Sequence, residues 1–269
     1  MLPLVKAHAY GNDFLLAPRA AAIATGVAPA DLARGVCGRH TGIGADGLIL
    51  FEPTPTGARM TLLNADGSPA EVSGNGVRCL AALRAHELSL EPGGSSLLVI
   101  ETDAGPKELT LLEREGRRAR FRAHMGQPER VRRVRVEIPG EPGGVDLVAM
   151  TFGNPQCVAL GGDLTTERLA RVGPGVQSHP EFPEGTNVEL AKVEAPDRVR
   201  ILIWERGVGP TQSSGTGSCA AAIAAASFGG ARRTVEVHAP GGAQRVEWHD
   251  DGVYLTGWAE VVLEGHWTA

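Results

Sequence analysis

Two short motifs hold the residues best placed to do chemistry: Ser73-Gly74-Asn75-Gly76 and Ser214-Gly215-Thr216-Gly217. Each runs into an alanine-rich stretch, Val77-Arg78-Cys79-Leu80-Ala81-Ala82 in one case and Ser218-Cys219-Ala220-Ala221-Ala222 in the other. Alanine favours helix, so each motif is expected to open one, over about residues 76–87 and 217–228. Glycines before a helix leave backbone N–H groups free to approach a ligand, and the partial positive charge of the helix N-terminus favours an anion there. The plainer reading is that Ser73 and Ser214 only cap their helices, as serine does well. Duplication favours two anion cradles facing one another across a cleft, where ligand pockets often form.

Other polar residues stand at turn positions. Asn12 and Asn154 follow glycine at strand ends, Asn64 precedes Ala65-Asp66-Gly67, and Asn187 follows Gly185-Thr186. Asparagine in a turn is ordinarily structural. Glu205-Arg206 is less ordinary, because it ends the apolar run Ile201-Leu202-Ile203-Trp204. A carboxylate and a guanidinium at the end of a core strand suit a substrate carrying both an ammonium and a carboxylate. A simple strand-end ion pair is the alternative.

The elements that position these residues occur twice. Tyr10-Gly11-Asn12 recurs 142 residues later as Phe152-Gly153-Asn154, and Ser-Gly-Asn-Gly recurs 141 residues later as Ser-Gly-Thr-Gly. Gly44-Ala45-Asp46-Gly47-Leu48 recurs loosely as Gly185-Thr186-Asn187-Val188-Glu189, also at 141. Matches in one order at nearly one offset mark a duplication. In each half, strands (4–14 and 47–51; 148–152 and 186–190) precede the helix. Alternating stretches follow it: 96–102, 108–113, 118–124 and 132–138, then 234–238, 244–248, 253–258 and 261–266. The fold expected is α+β, with two pseudo-symmetric halves, each a central helix wrapped by mostly antiparallel strands, and a ligand cleft between them. The N-terminal half is residues 1–117 plus 259–269 and the C-terminal half is 118–258; sequence alone does not fix which half owns the last strand.

Composition narrows the function classes. The 269 residues include 36 Gly and 18 Pro, yet no Gly-X-Y period, no heptad array and no apolar run long enough to span a membrane. The net charge of −5 argues against a nucleic-acid binder. The one basic run, Arg117-Arg118-Ala119-Arg120 with Arg122 and then residues 130–135, alternates with apolar residues as the solvent face of a strand pair does. Cys37, Cys79, Cys157 and Cys219 form no metal-type spacing, so no metal is expected. Cys79 and Cys219 read as core residues, and Cys157 points away from the face of Gln156. The first residues lack a signal-peptide pattern, so a cytoplasmic location with reduced thiols is expected.

Together the motifs resemble the diaminopimelate epimerase family of cofactor-independent amino-acid epimerases. The resemblance covers nearly the whole chain. It rests on Ala9-Tyr10-Gly11-Asn12-Asp13-Phe14, Gly42-Ile43-Gly44-Ala45-Asp46-Gly47, Asn64-Ala65-Asp66-Gly67-Ser68, Ser73-Gly74-Asn75-Gly76-Val77-Arg78-Cys79, Gly153-Asn154-Pro155, Thr186-Asn187-Val188-Glu189, and Glu205-Arg206-Gly207-Val208-Gly209 with Gly215-Thr216-Gly217. It implies that Asn12, Asn64, Asn154, Asn187, Glu205 and Arg206 hold the non-reacting end of an amino-acid substrate. Gly74, Asn75, Gly215 and Thr216 would cradle the carboxylate at the reacting carbon. No cofactor is implied; the partner is a small-molecule amino acid, with no nucleic acid and no membrane, and a homodimer is possible on the resemblance alone.

The family transfers protons with a cysteine on each face of the α-carbon, and here both positions, 73 and 214, are serine. Gln156 stands where the family commonly has histidine, and Pro210 replaces a usual acidic residue. A hydroxyl is a far weaker acid than a thiol and needs a neighbouring base. Three readings stay open at this point: an epimerase using Ser73 and Ser214, a relative or altered chain that binds an amino acid without epimerising it, and an isomerase of another small acid in which Glu205 is the surviving base.

Overall fold

Two adjacent residues at positive φ, Tyr10 at 56° and Gly11 at 86°, turn the first strand into the second. This is the two-residue hairpin whose twist matches that of its strands. It joins β1 (Leu2–Ala9) to β2 (Asn12–Pro18), with Ala9 opposite Asn12. In the computed structural model residues 1–93 and 96–268 are described. Gly94, Ser95 and Ala269, which the sequence reading places in the N-terminal half, lie outside them.

The chain divides into two compact units, Met1–Ala123 with Gly257–Ala269, and His124–Thr256. After β1 and β2, the first unit adds α1 (Arg19–Ala24), α2 (Pro29–Cys37), β3 (Gly47–Thr54), β4 (Gly57–Asn64), β5 (Pro69–Ala70), α3 (Gly74–Glu87), β6 (Leu97–Thr102), β7 (Gly105–Glu115) and most of β8 (Arg118–Gly126). The second holds β9 (Glu129–Val136), β10 (Val145–Phe152), β11 (Asn154–Leu160), α4 (Thr166–Gln177), β12 (Asn187–Ala195), β13 (Arg198–Glu205), β14 (Gly209–Thr211), α5 (Gly215–Phe228), β15 (Thr234–Ala239) and β16 (Gly242–Trp248). The last strand, β17 (Val253–Trp267), starts in the second unit and ends in the first.

In the first unit the strands form a closed ring. β1 pairs antiparallel with β2, β2 parallel with β3, β3 antiparallel with β4, and β4 parallel with β6. β6, β7 and β8 follow as a meander, and β17 closes the ring by pairing with both β8 and β1. In the second unit β9, β10 and β11 are antiparallel neighbours, β11 runs parallel to β12, β12 antiparallel to β13, and β13 parallel to β15. β15, β16 and the start of β17 complete the series.

Each unit buries one helix. Every residue of α3 from Asn75 to Ala85 is buried, as are Gly215 and Gly217 to Ala225 of α5. A helix hydrophobic all round belongs inside, and the alanines of α5 keep it thin enough for strands to approach. It packs on Val148, Val158, Ile201, Ile203, Val235, Val246 and Leu255. Asn75, Arg78 and Arg84 are the exceptions in α3. Arg84 donates to the Gly57 carbonyl at 2.9 Å and pairs with Glu87, while Arg78 donates to the Asn75 side chain and lies over the Tyr10 ring.

Several elements differ from the sequence reading. The sequence marks none of α1, α2, α4, β4, β5 and β14. The stretches 253–258 and 261–266 are one strand, interrupted by a bulge: Lys6 pairs with Leu263 but Ala7 with Val261. Val262 and Leu263 are consecutively exposed there, which breaks the alternation. The basic run does not form one strand pair, since β8 pairs with β7 and β9 with β10. Within each strand the alternation holds, and the arginines are engaged: Arg118 stacks 3.9 Å from the Trp258 ring, Arg132 pairs with Glu181 at 2.8 Å and Arg135 with Asp146 at 3.0 Å. Among the described residues no helix is long and apolar enough to cross a membrane.

Asp13 ties the base of the first unit together. Its carboxylate meets Lys6 at 2.9 Å and Arg39 at 3.0 Å, and accepts from the Asp46 N–H at 3.2 Å. Burial pushes its pKa up, but the hydrogen bonds from Arg39 and Lys6 outweigh burial and hold it below the usual 3.8. That stabilisation is present above the unfolded value and is lost as pH falls through the folded one. Asp13→Asn is expected to cost about 1–2 kcal/mol at pH 7, discounted because Arg39 is half exposed, and much less near pH 2. Urea melts of both proteins at the two pH values would check it.

Candidate active site

Both serines cap their helices. Ser73 and Ser214 have extended backbones, φ −129° and −137°, and their hydroxyls accept from the N–H groups of Gly76 and Gly217, each at 3.2 Å. The capping reading therefore holds. It does not remove the cradle, because a cap satisfies only one of the free N–H groups of a helix start. α3 and α5 begin at Gly74 and Gly215, two residues earlier than expected. These glycines form the first helical turn and not a preceding loop. Ser73→Ala and Ser214→Ala are each expected to lower stability by about 1 kcal/mol through loss of the cap, measurable as a shift in denaturation midpoint with an unchanged slope.

In the first unit Asn12 and Asn75 meet. The Asn75 side chain donates to Asn12 Oδ1 at 3.1 Å, and Asn12 donates to Asp46 at 2.7 Å. Asn64 lies opposite Gly47 in the β3–β4 register and donates to Ser68 Oγ at 3.0 Å. Behind the helix start is hydrocarbon: a Cβ placed on Gly76 would lie 3.1 Å from Ile49 Cδ1 and 3.6 Å from the Phe14 ring.

In the second unit Asn154 accepts from Gln156 Nε2 at 2.5 Å, and Asn187 accepts from the Arg206 N–H at 2.8 Å. Arg206 donates to the Glu184 carbonyl at 2.7 Å, so it is anchored while its side chain stays exposed. Glu205 is half-buried. Thr216 lies by Gly153, where an added Cβ would be 3.9 Å from Thr216 Cγ2.

Behind this second helix start stand polar groups. A Cβ on Gly217 would lie 2.5 Å from Glu189 Oε1 and 3.2 Å from Ser214 Cβ. Glu189 is fully buried, and neither of its carboxylate oxygens has a hydrogen-bond partner among the described residues. Burial pushes its pKa well above 4.5, and the charge of Glu205 adds to the effect. Gln156 is equally buried, with Oε1 unpartnered. In the sequence Glu189 closes the motif Thr186-Asn187-Val188-Glu189 with no assigned role. The available signal was an acid at an inward-facing position of a buried strand.

Strand pairing also corrects the repeat alignment. Phe14 lies opposite Gly47, and Gln156, its counterpart, opposite Asn187. Gly47 therefore corresponds to Asn187 and Ile49 to Glu189, one residue away from the expected pairing of Leu48 with Glu189.

The four cysteines are buried. Burial pushes Cys37 and Cys157 up to about 12 and raises Cys79 further. None of these three is poised as a thiolate base. Among the described residues no group of three or more His, Cys, Asp or Glu could hold a metal ion.

The family model for diaminopimelate epimerase matches residues 4–131 and 148–262. The chain belongs to the diaminopimelate epimerase family. Relatives bearing that name include one from Desulforudis audaxviator, 39% identical with 99% of each chain covered, and one from Moorella thermoacetica, 41% identical with 97% of each covered. Among solved structures, a probable proline racemase from Agrobacterium radiobacter superposes with a TM-score of 0.73 at 18% identity, covering 100% of this chain and 93% of that one. A predicted epimerase from Pseudomonas aeruginosa gives 0.75 at 13% identity, with both chains fully covered. Those two likenesses place this diaminopimelate epimerase family member in the fold shared with proline racemases.

Proposed function

We propose that the chain interconverts LL- and meso-diaminopimelate by two-base proton transfer at the α-carbon. Ser73 serves one face and Ser214 the other. Asn12, Asn64, Asn154, Asn187, Glu205 and Arg206 hold the distal amino-acid end, and Gly74, Asn75, Gly215 and Thr216 cradle the carboxylate beside the reacting carbon. Each half, 1–117 with 259–269 and 118–258, supplies one cradle. Removing the α-proton leaves charge that spreads into that carboxylate, where helix N–H groups stabilise it. The observation that carries the reading is the match to diaminopimelate epimerases over 97–99% of the chain at about 40% identity.

The test is deuterium incorporation at the α-carbon in D₂O with LL- or meso-diaminopimelate. Incorporation above a heat-killed control is expected, and its absence would end the proposal. A second reading, binding without epimerisation, draws on the two capping hydroxyls and the absence of any thiol at positions 73 and 214. Calorimetric titration separates the two, because heat of binding with no exchange favours the second.

A further inference from the structure

The duplication supplies an internal control. The helix starts of α3 and α5 are built alike, from a capping serine to the glycine that takes its hydrogen bond. What stands behind them differs. Ile49 and Phe14 back the first, and Glu189 backs the second. In β12, Val188 and Leu190 face the cluster around α4, while Ala191 faces α5. Alternation puts Asn187 and Glu189 on the α5 side as well.

A buried acid without a partner costs stability, and the homologous position shows that isoleucine fits such a site. The hydroxyl of Ser214 accepts from Gly217; Glu189 is its neighbour, since a Cβ on Gly217 would lie 2.5 Å from Glu189 Oε1 and 3.2 Å from Ser214 Cβ, although the two side chains do not hydrogen-bond. A hydroxyl moves a proton only with a neighbouring base. From these observations, and resting on the epimerase reading, we propose that Glu189 is a positioning residue that exchanges a proton with the side chain at 214. Once a side-chain rotation brings Ser214 Oγ–H onto Glu189 Oε1, the Oγ–H bond breaks towards Oε1 as the substrate Cα–H bond breaks towards Oγ. No free alkoxide forms, and the electron pair of the Cα–H bond stays on the substrate. In the reverse direction the Glu189 carboxylic acid returns its proton through Ser214 to the carbon. Ser73 has no such partner, so the two faces are chemically unequal.

The groups facing Glu189 are few. β13 brings Glu205, β11 brings the neutral Gln156 while Cys157 packs on the opposite face, and α5 carries no charged side chain. Glu205 makes its own contacts, so the effect of Glu189 is read against Glu205→Gln.

Two measurements test the proposal. In the exchange assay, Glu189→Gln is expected to lower kcat by about 10²-fold with little change in KM and to remove one limb of the pH profile, with Glu189→Asp recovering part of the loss. An exchanging wild type beside an unchanged Glu189→Gln would overturn it. The second measurement needs no turnover: the rate–pH midpoint for methanethiosulfonate modification of Ser214→Cys, alone and with Glu189→Gln. The midpoint is expected to fall by about one unit when the carboxyl is removed, and equal midpoints would overturn the coupling. A wild type that exchanges nothing counts against the epimerase reading, while this midpoint still decides the role of Glu189.

Discussion

Placing thiols at both proposed proton-transfer positions, Ser73→Cys with Ser214→Cys, is expected to raise α-hydrogen exchange from diaminopimelate by about 10²-fold or more. A free thiol titrates near 8.5 and is lowered at helix N-termini, whereas the helix dipole, worth roughly 0.3–2 kcal/mol, is far too weak to ionise a hydroxyl. The N–H groups of Gly76 and Gly217 already point at the two side chains from 3.2 Å. A thiolate there would inherit a donor aimed at it. Deuterium wash-in followed by NMR measures the gain. A double variant that binds substrate and stays inert would show that residues 73 and 214 do not flank the reacting carbon.

Glu189→Ile is expected to stabilise the protein by about 2–3 kcal/mol at pH 8 and by much less at pH 4. An unfolded glutamate titrates near 4.5, and burial raises the native value well above it. Between the two values the folded state keeps a proton that the unfolded chain has released. Stability therefore falls as pH rises through that window and levels off above it. Isoleucine removes this dependence and matches Ile49 of the other unit, which already packs against a helix start. Thermal melts across pH 4–8 give the result directly. A variant with the wild-type pH slope would show that Glu189 is not the buried acid that the slope reports.

The strongest local signals were legible in the sequence. α3 and α5 could be found because Ser-Gly-x-Gly followed by alanine satisfies both capping and propensity. Their starts lie two residues ahead of where the sequence suggests, since Gly74 and Gly215 look like turn residues while standing in the first helical turn. α4 was hidden by its internal Pro174. β17 was split in two because the bulge at Val262 reverses the phase on which strand reading depends. At the site, the asparagines could be placed from turn chemistry, but not their partners. Asn12 meets Asn75 across 63 residues of sequence, and no periodicity reports that. Glu189 needed the strand register, because shifting the repeat by one residue turns it to the opposite face.

The path of β17 has a consequence for how this chain is made. The ring of the first unit pairs β1 with residues 261–267. During synthesis β1 is made long before its neighbour, so that ring cannot close until residues 261–267 have left the ribosome. Until then β1 and β8 present open edges, which invite pairing with other chains. A topology with such distant partners folds slowly, and the nascent first unit is the part of this protein with most need of a chaperone.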